Sequence, residues 1–291
     1  MKNNPIHIKF KNHQNPYATF DIISLEGLYT RKNLNHSPFQ LHLVEFYIII
    51  LVEEGEGIHT VDFTDYSYKK GTLLTVRKDQ IHRFHKYPDV KGKVLLFTDD
   101  FLVSYLEELE ALKSLQLFNE LLGIPKLQLS NTDFIEIIGL INRIKKEYFN
   151  INDNHTLGII RSELHILLAK LYRIKSNNNQ IINNRKYLNE FIEFQRLVEK
   201  NAQQTVKVKD YALQLGISTK TLNTITKTIV NKSAKAFIDD ICTQQIKRLL
   251  INTNLTVKEI AYISGFEETT NFYKYFKRQT KLTPEKFRSN Y

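Results

Sequence analysis

One cysteine, Cys242, is present in 291 residues. A lone thiol excludes an internal disulfide and a multi-cysteine zinc site, so a reducing cytosol is the expected compartment. Long apolar runs are missing too. The longest, residues 46–52, is far too short to span a bilayer and reads instead as a strand buried on both faces. Residues 1–20 are polar and carry no secretion signal, so no membrane partner is expected. Excess negative charge is absent, and the positive excess is unevenly shared. Residues 186–291 hold 18 Lys and Arg against 10 Asp and Glu, whereas residues 1–185 hold 23 against 21, so most of the net +10 lies in the C-terminal part. A surface that neutralises phosphates has this asymmetry, and a general abundance of Lys accounts poorly for it. The length allows two domains, each with its own core.

The C-terminal part uses one pattern twice. Tyr211-Ala212-Leu213-Gln214-Leu215-Gly216-Ile217 is followed 49 positions later by Ile260-Ala261-Tyr262-Ile263-Ser264-Gly265-Phe266. In each copy a small Ala lets a second helix cross closely, and a Gly four residues on supplies the positive φ of a sharp turn between helices. Both therefore read as the first helix and turn of a helix-turn-helix. Ser218 is a suitable N-cap for the first following helix, residues 218–229, in which Leu222, Ile225 and Ile229 form the buried face. That leaves Thr219, Lys220, Asn223, Thr224 and Lys227 outward. Asn pairs bidentately with adenine, Lys reaches guanine, and Thr suits phosphate or a thymine methyl.

A connecting helix over residues 234–250 turns Phe237, Ile238, Ile241, Ile246, Leu249 and Leu250 inward. The second copy opens with the capping box Thr256-Val257-Lys258-Glu259. Its recognition helix, residues 268–278, buries Phe272 and Phe276 and exposes Thr269, Thr270, Asn271, Tyr273, Lys274 and Lys277. Pro284 opens a last short helix. The second turn is one residue longer, since Phe272 lies seven positions beyond Gly265 against six from Gly216 to Leu222. With Lys220, Asn223 and Thr224 exposed, the first copy is expected to carry more of the specificity and the second more of the anchoring.

The stretch from Lys258 to Glu267, then Asn271-Phe272-Tyr273-Lys274-Tyr275-Phe276-Lys277-Arg278, then residues 282–288, resembles the signature of the AraC/XylS family of bacterial transcription regulators. The resemblance covers about the last hundred residues. It implies two recognition helices in successive major-groove segments of promoter DNA, joined by a rigid helix, with activation through RNA polymerase the usual outcome. B-DNA then demands a spacing of roughly 34 Å. Cys242 stands where that family usually has Arg, Ile246 where it has Ala, Glu268 where it has Asp, and Lys281 where it has Gly.

Residues 6–98 carry strand signals at 20–24, 43–52, 58–63, 72–76 and 94–97, which suggests a small β-barrel or sandwich. Helical spacing takes over at Phe101, Tyr105, Leu109, Leu112, Leu115 and Phe118, and a second helix is expected over residues 132–149. A third, residues 156–175, carries Leu157, Ile160, Leu164, Leu167, Leu171 and Ile174 at coiled-coil-like steps. That seam packs either on the chain's own barrel or on the same helix of a second subunit in a homodimer. Residues 176–185, rich in Asn and Ser, read as a linker. The expected fold class is α+β with two domains: a barrel over 1–98, a helical segment open to dimerisation over 99–175, and a tandem helix-turn-helix domain over 186–291.

The run from Gly71 to His82 resembles the second motif of cupin-type sensor barrels, with Arg77 in place of Pro, and His42 and Glu45 lie where the first motif supplies metal ligands. Val44 occupies the place of a second His and Ile48 that of a further carboxylate, so a full ligand set is lacking and neither metal nor cofactor is expected. His42, His82 and Arg83 are candidate residues of a small-molecule effector pocket, as the resemblance to sugar-sensing members implies; the alternative is that both His are satisfied barrel-end side chains. The function expected is a sequence-specific, DNA-binding transcription regulator. An effector-independent regulator, whose barrel serves only in dimerisation or partner binding, is the second reading, and a metal-dependent cupin enzyme is the third.

Overall fold

The structure is a computed structural model that describes residues 5–12, 18–30, 36–87, 89–103, 118, 124–151, 153–177, 187–201 and 206–290. The described residues fall into two compact units, an N-terminal one within Pro5–Ile181 and a C-terminal one within Ile182–Tyr291.

The N-terminal unit is built on two five-stranded sheets. One has the order β1 (Ile6–Ile8), β3 (His42–Val44), β8 (Ile81–Phe84), β5 (Gly57–Val61), β6 (Thr64–Tyr68). The other runs β10 (Lys126–Gln128), β7 (Thr72–Val76), β4 (Tyr47–Glu54), β9 (Lys91–Phe97), β2 (Phe20–Ser24). A short helix α1 (Leu25–Thr30) follows β2. Strand β4 is buried on both faces because its period-2 alternation serves two cores. Ile48, Ile50 and Val52 join Val44, Val61, Leu74 and Val94 in one, while Tyr47, Ile49 and Leu51 join Leu73, Leu95 and Phe97 in the other. The predicted single run 43–52 is two strands, parted at Glu45 and Phe46. At Asp62 and Phe63, φ values of 42° and 68° make the two-residue turn into β6, whose Tyr66 and buried Tyr68 alternate with polar residues.

Helices α3 (Asn131–Asn150) and α4 (Thr156–Asn177) cover the second sheet. Ser130 caps α3 by accepting the Asp133 N–H. Ile160, Leu164, Leu167, Leu171 and Ile174 of α4 are buried in the same core as Ile137, Leu140 and Ile144 of α3 and Ile49 of β4, so these five seam positions face the chain's own sheet and helix rather than a second subunit. Leu157, the sixth, continues the stripe by spacing but is 42% exposed in the helix's first turn. Helix α2 (Asp99–Val103) begins the segment read as helical from residue 99, with Phe101 buried; Phe118 is also buried, whereas Tyr105, Leu109, Leu112 and Leu115 lie outside the described residues. Of the linker, Ser176 and Asn177 end α4 and residues 178–185 lie outside the described residues.

The C-terminal unit is helical: α5 (Leu188–Asn201), α6 (Val208–Gln214), α7 (Thr219–Val230), α8 (Ala234–Asn252), α9 (Val257–Ile263), α10 (Thr269–Thr280) and α11 (Pro284–Ser289). Helix α8 is apolar around most of its circumference because both halves pack on it. Phe237 meets Phe191 and Phe194 of α5 at ring-centroid distances of 4.9 and 5.4 Å. On the other side Tyr275 of α10 donates to the Asp239 carbonyl at 3.1 Å, and Arg288 of α11 donates to the Leu250 and Leu255 carbonyls at 2.8 and 2.7 Å. Leu249, expected inside, is half-buried, and Cys242 is buried, its thiol pushed up to about 12 by burial. A thiol held so far from ionisation is inert.

Candidate nucleic-acid interface and ligand pocket

Both helix-turn-helix units are set by local signals. Gly216 has φ +65° and Gly265 φ +79°, and each turn closes by the same bonds, Ile217 N–H to Ala212 O at 3.0 Å and Phe266 N–H to Ala261 O at 3.0 Å. Ser218 caps α7 by accepting the Thr221 N–H. In the second unit Thr256 and Glu259 form the reciprocal capping box, while Glu268, in extended conformation before α10, makes no side-chain cap. Helix α7 starts three residues after its Gly and α10 four after, so the second turn is the longer one.

Among the residues expected outward, Thr219, Lys220, Thr224 and Lys227 of α7 are exposed, as are Thr270, Asn271, Lys274 and Lys277 of α10. Thr269 is half-buried. Two positions are committed to the fold. Asn223 is half-buried; its amide donates to the Thr219 carbonyl at 2.9 Å, and its Oδ1 accepts the Ala234 N–H at 3.0 Å, capping α8. It is therefore a brace between α7 and α8 and not a free adenine reader, and the case for greater specificity in the first unit loses its principal side chain. Asn223→Ala should cost about 1 kcal/mol through the orphaned Ala234 N–H, read as a lower Tm of the C-terminal unit. Tyr273 is half-buried and hydrogen-bonded to Glu285 of α11, which pushes its hydroxyl up to about 12. Tyr275, not singled out in the sequence, is buried; its i+3 spacing from Phe272 was the available signal.

Inside the N-terminal unit lies a cavity of about 470 Å³. His42 and His82 line it, whereas Arg83 does not, because alternation along β8 turns it to the opposite face from His82 and Phe84. His42 is 4% exposed and His82 2%, with Nε2 of the first and Nδ1 of the second lacking any hydrogen-bond partner. Their ring centroids are 5.8 Å apart; His36 stacks edge-on against His42 at 4.8 Å, and His59 lies 5.3 Å from His82. Burial, with His36 adding, pushes His42 down to about 4; burial and His85 push His59 down to about 3, and burial with its two His neighbours holds His82 well below the usual imidazole range. All three are neutral at pH 7. The cavity also takes in His36 and the segment from Ile6 to Lys11, which holds β1 and whose apolar-polar alternation was the legible sign. Among the described residues no group of three or more His, Cys, Asp or Glu is placed to hold a metal ion, and Glu45 instead lies 3.7 Å from His7. No described helix is long and apolar enough to cross a membrane.

Residues 24–154 match the family described as AraC-like ligand binding domain, and residues 211–290 match the helix-turn-helix domain family. The transcriptional activator RhaR of Enterobacter sp. (strain 638) is 21% identical over 86% of this chain and 87% of its own length. The transcriptional activator RhaS of Klebsiella pneumoniae (strain 342) is 22% identical over 88% and 89%. Among solved structures, ToxT of Vibrio cholerae O395 is similar over 93% of this chain and 97% of that one, at 14% identity and a TM-score of 0.44.

Proposed function

We propose that this chain, which matches the AraC-like ligand binding domain family over residues 24–154 and the helix-turn-helix domain family over residues 211–290, activates transcription from promoters it contacts through α7 and α10. The observation that carries this reading is the repeated geometry: two glycine turns of like φ, each followed by a helix whose exposed face holds Lys. Lys220 on α7 and Lys274 and Lys277 on α10 are the primary DNA contacts, with Thr219, Thr224, Lys227, Thr270 and Asn271 beside them. The relatives named as activators support the sign of regulation, with RNA polymerase as the further partner, and the bacterial cytoplasm is the site of action.

The cavity favours an effector-responsive regulator over an effector-independent one, since a barrel used only for pairing has no need of unpartnered buried imidazoles. Effector contacts then bias the pairing or orientation of DNA-binding units by population shift. A homodimer would use the outward face of α4, where Ile159 and Ile166 are exposed, because the inward stripe is occupied.

Mapping the protein on its own genome supplies the promoter, and titrations of Lys220→Ala and Lys274→Ala on that fragment test the helices. Each is expected to weaken specific binding by about 1–3 kcal/mol for a base contact, or to lower the salt slope by about 1 for a phosphate contact. Unchanged binding by both variants rules out these recognition helices.

A further inference from the structure

The cavity combines three chemistries. Its walls are apolar, with Ile23, Leu28, Phe46, Ile48, Phe84 and Leu96 among them. Within those walls stand the buried imidazoles of His42 and His82, each with one ring nitrogen unpartnered. Strand β1 and the residues after it add the exposed Lys9 and Lys11. The one acid in the lining, Asp21, is engaged already, accepting the Ile22 N–H at 2.8 Å and the Tyr148 hydroxyl at 3.0 Å.

We propose that this cavity takes a monocarboxylic acid with an apolar body, and that the acid binds together with one proton shared between its carboxyl group and the imidazoles of His42 and His82. The proposal rests on the reading of the cavity as the effector site. A polyol fits these walls poorly: every buried hydroxyl needs a partner, and among the described lining residues the buried unpartnered side-chain atoms are His42 Nε2 and His82 Nδ1. An apolar ligand without a head group would leave both nitrogens unsatisfied. A carboxyl group has two oxygens to set against two nitrogens, and the Lys9 and Lys11 ammonium groups favour the approach of an anion.

The proton follows from charge. A bare carboxylate is costly to bury, and a neutral imidazole does not offset its charge. With one proton the buried pair is neutral overall, whether the proton rests on the ligand oxygen or on a ring nitrogen. The groups facing these imidazoles are His36 beside His42, His59 beside His82, Lys9 and Lys11 from the segment after β1 and Asp21 from β2. Burial keeps His42 and His82 unprotonated in the empty site at neutral pH, so the proton comes from solvent. Binding above the free acid's own pKa thus consumes close to one proton, and affinity falls about tenfold per pH unit.

Calorimetry on the full chain with octanoate, 1-octanol and glucose tests this. Comparison of heats in phosphate and Tris buffers at pH 7 is expected to give close to one proton taken up per octanoate. Affinity should drop about tenfold from pH 6.5 to 7.5, while octanol binding stays flat over the same interval. His42→Leu and His82→Leu should each weaken octanoate more than about tenfold and flatten its pH dependence, with thermal unfolding at pH 7.5 and promoter binding retained. Octanoate binding without proton uptake, or equal loss of octanol and octanoate in the two variants, overturns the proposal. Glucose binding that depends on His42 and His82 overturns it while leaving the effector site in place. No binding by any probe, together with an unchanged promoter response when Leu96→Phe fills the cavity, overturns both readings.

Discussion

Lowering the pH from 7.5 to 5 unfolds the N-terminal unit and leaves the C-terminal unit folded. All nine histidines lie in the first 165 residues, and three of them, His42, His59 and His82, are buried as neutral imidazoles. In the unfolded chain each takes up a proton near the ordinary imidazole value; folded, burial holds His59 to about 3, His42 to about 4 and His82 well below 6.5. Between these values the unfolded chain binds more protons, so the stability these groups permit is complete above pH 6.5 and is lost as pH falls. At pH 5 the loss is about 2 kcal/mol each for His42 and His59, or about 4 kcal/mol together, with His82 adding in the same direction, which approaches the whole stability of a marginal domain. His36, His85 and His165, also lowered by burial, add in the same direction. The C-terminal unit has no histidine, and its depressed carboxylate, Glu259 in the capping box, loses its contribution only below the ordinary carboxylate range. Hydrogen exchange on the full chain across this interval should show protection collapsing in the sheets while α8 keeps its own. His59→Leu should reduce the proton uptake on unfolding by close to one. Parallel loss of protection in both units would remove the buried imidazoles as its cause.

The C-terminal unit was largely legible in the sequence because its signals are local. Ser218, the Thr256 and Glu259 pair, Pro284 and the two turn glycines each act within four residues of themselves, and apolar spacing did the rest. Asn223 was misread because its partner, the Ala234 N–H, is eleven residues away on the next helix, and an exposed-face argument takes no account of such a bond. In the N-terminal unit the continuous apolar run of β4 announced a doubly buried strand. Strands β8 and β10 are three or four residues long, too short to give a period, whereas the alternation around β1 was there to read. The histidines at 42 and 82 were identifiable as candidates, but they stand directly opposite one another only because β3 and β8 pair as they do. Arg83 was included by adjacency in sequence, and the two-residue period of a strand separates it from its neighbours.

The seam of α4 shows most clearly what spacing leaves undecided, and it carries the second large effect. A three- and four-residue alternation states that one stripe of a helix is buried; it does not state by what. Here Leu164 and Leu171 are both 0% exposed, packed with Ile137, Leu140 and Ile144 of α3 and with the strands beneath. Replacing both with Glu removes two leucines, at about 2–5 kcal/mol each, and adds two carboxylates with no partner in an apolar core. The total exceeds what a domain of this size has to lose, so Leu164→Glu with Leu171→Glu should abolish the near-UV signal and protease resistance of the N-terminal unit rather than yield folded monomers. The control lies on the opposite side of the same helix. Ile159 and Ile166, both 45% exposed and seven residues apart, stand on one outward face. Ile159→Glu with Ile166→Glu should leave the melting temperature within a few degrees, since exposed substitutions away from the core cost within about 0.5 kcal/mol. Sedimentation of this second pair then reads subunit association without the confounding loss of fold. A folded double variant at Leu164 and Leu171 would mean that the stripe is not core, and would return it to the interface between subunits.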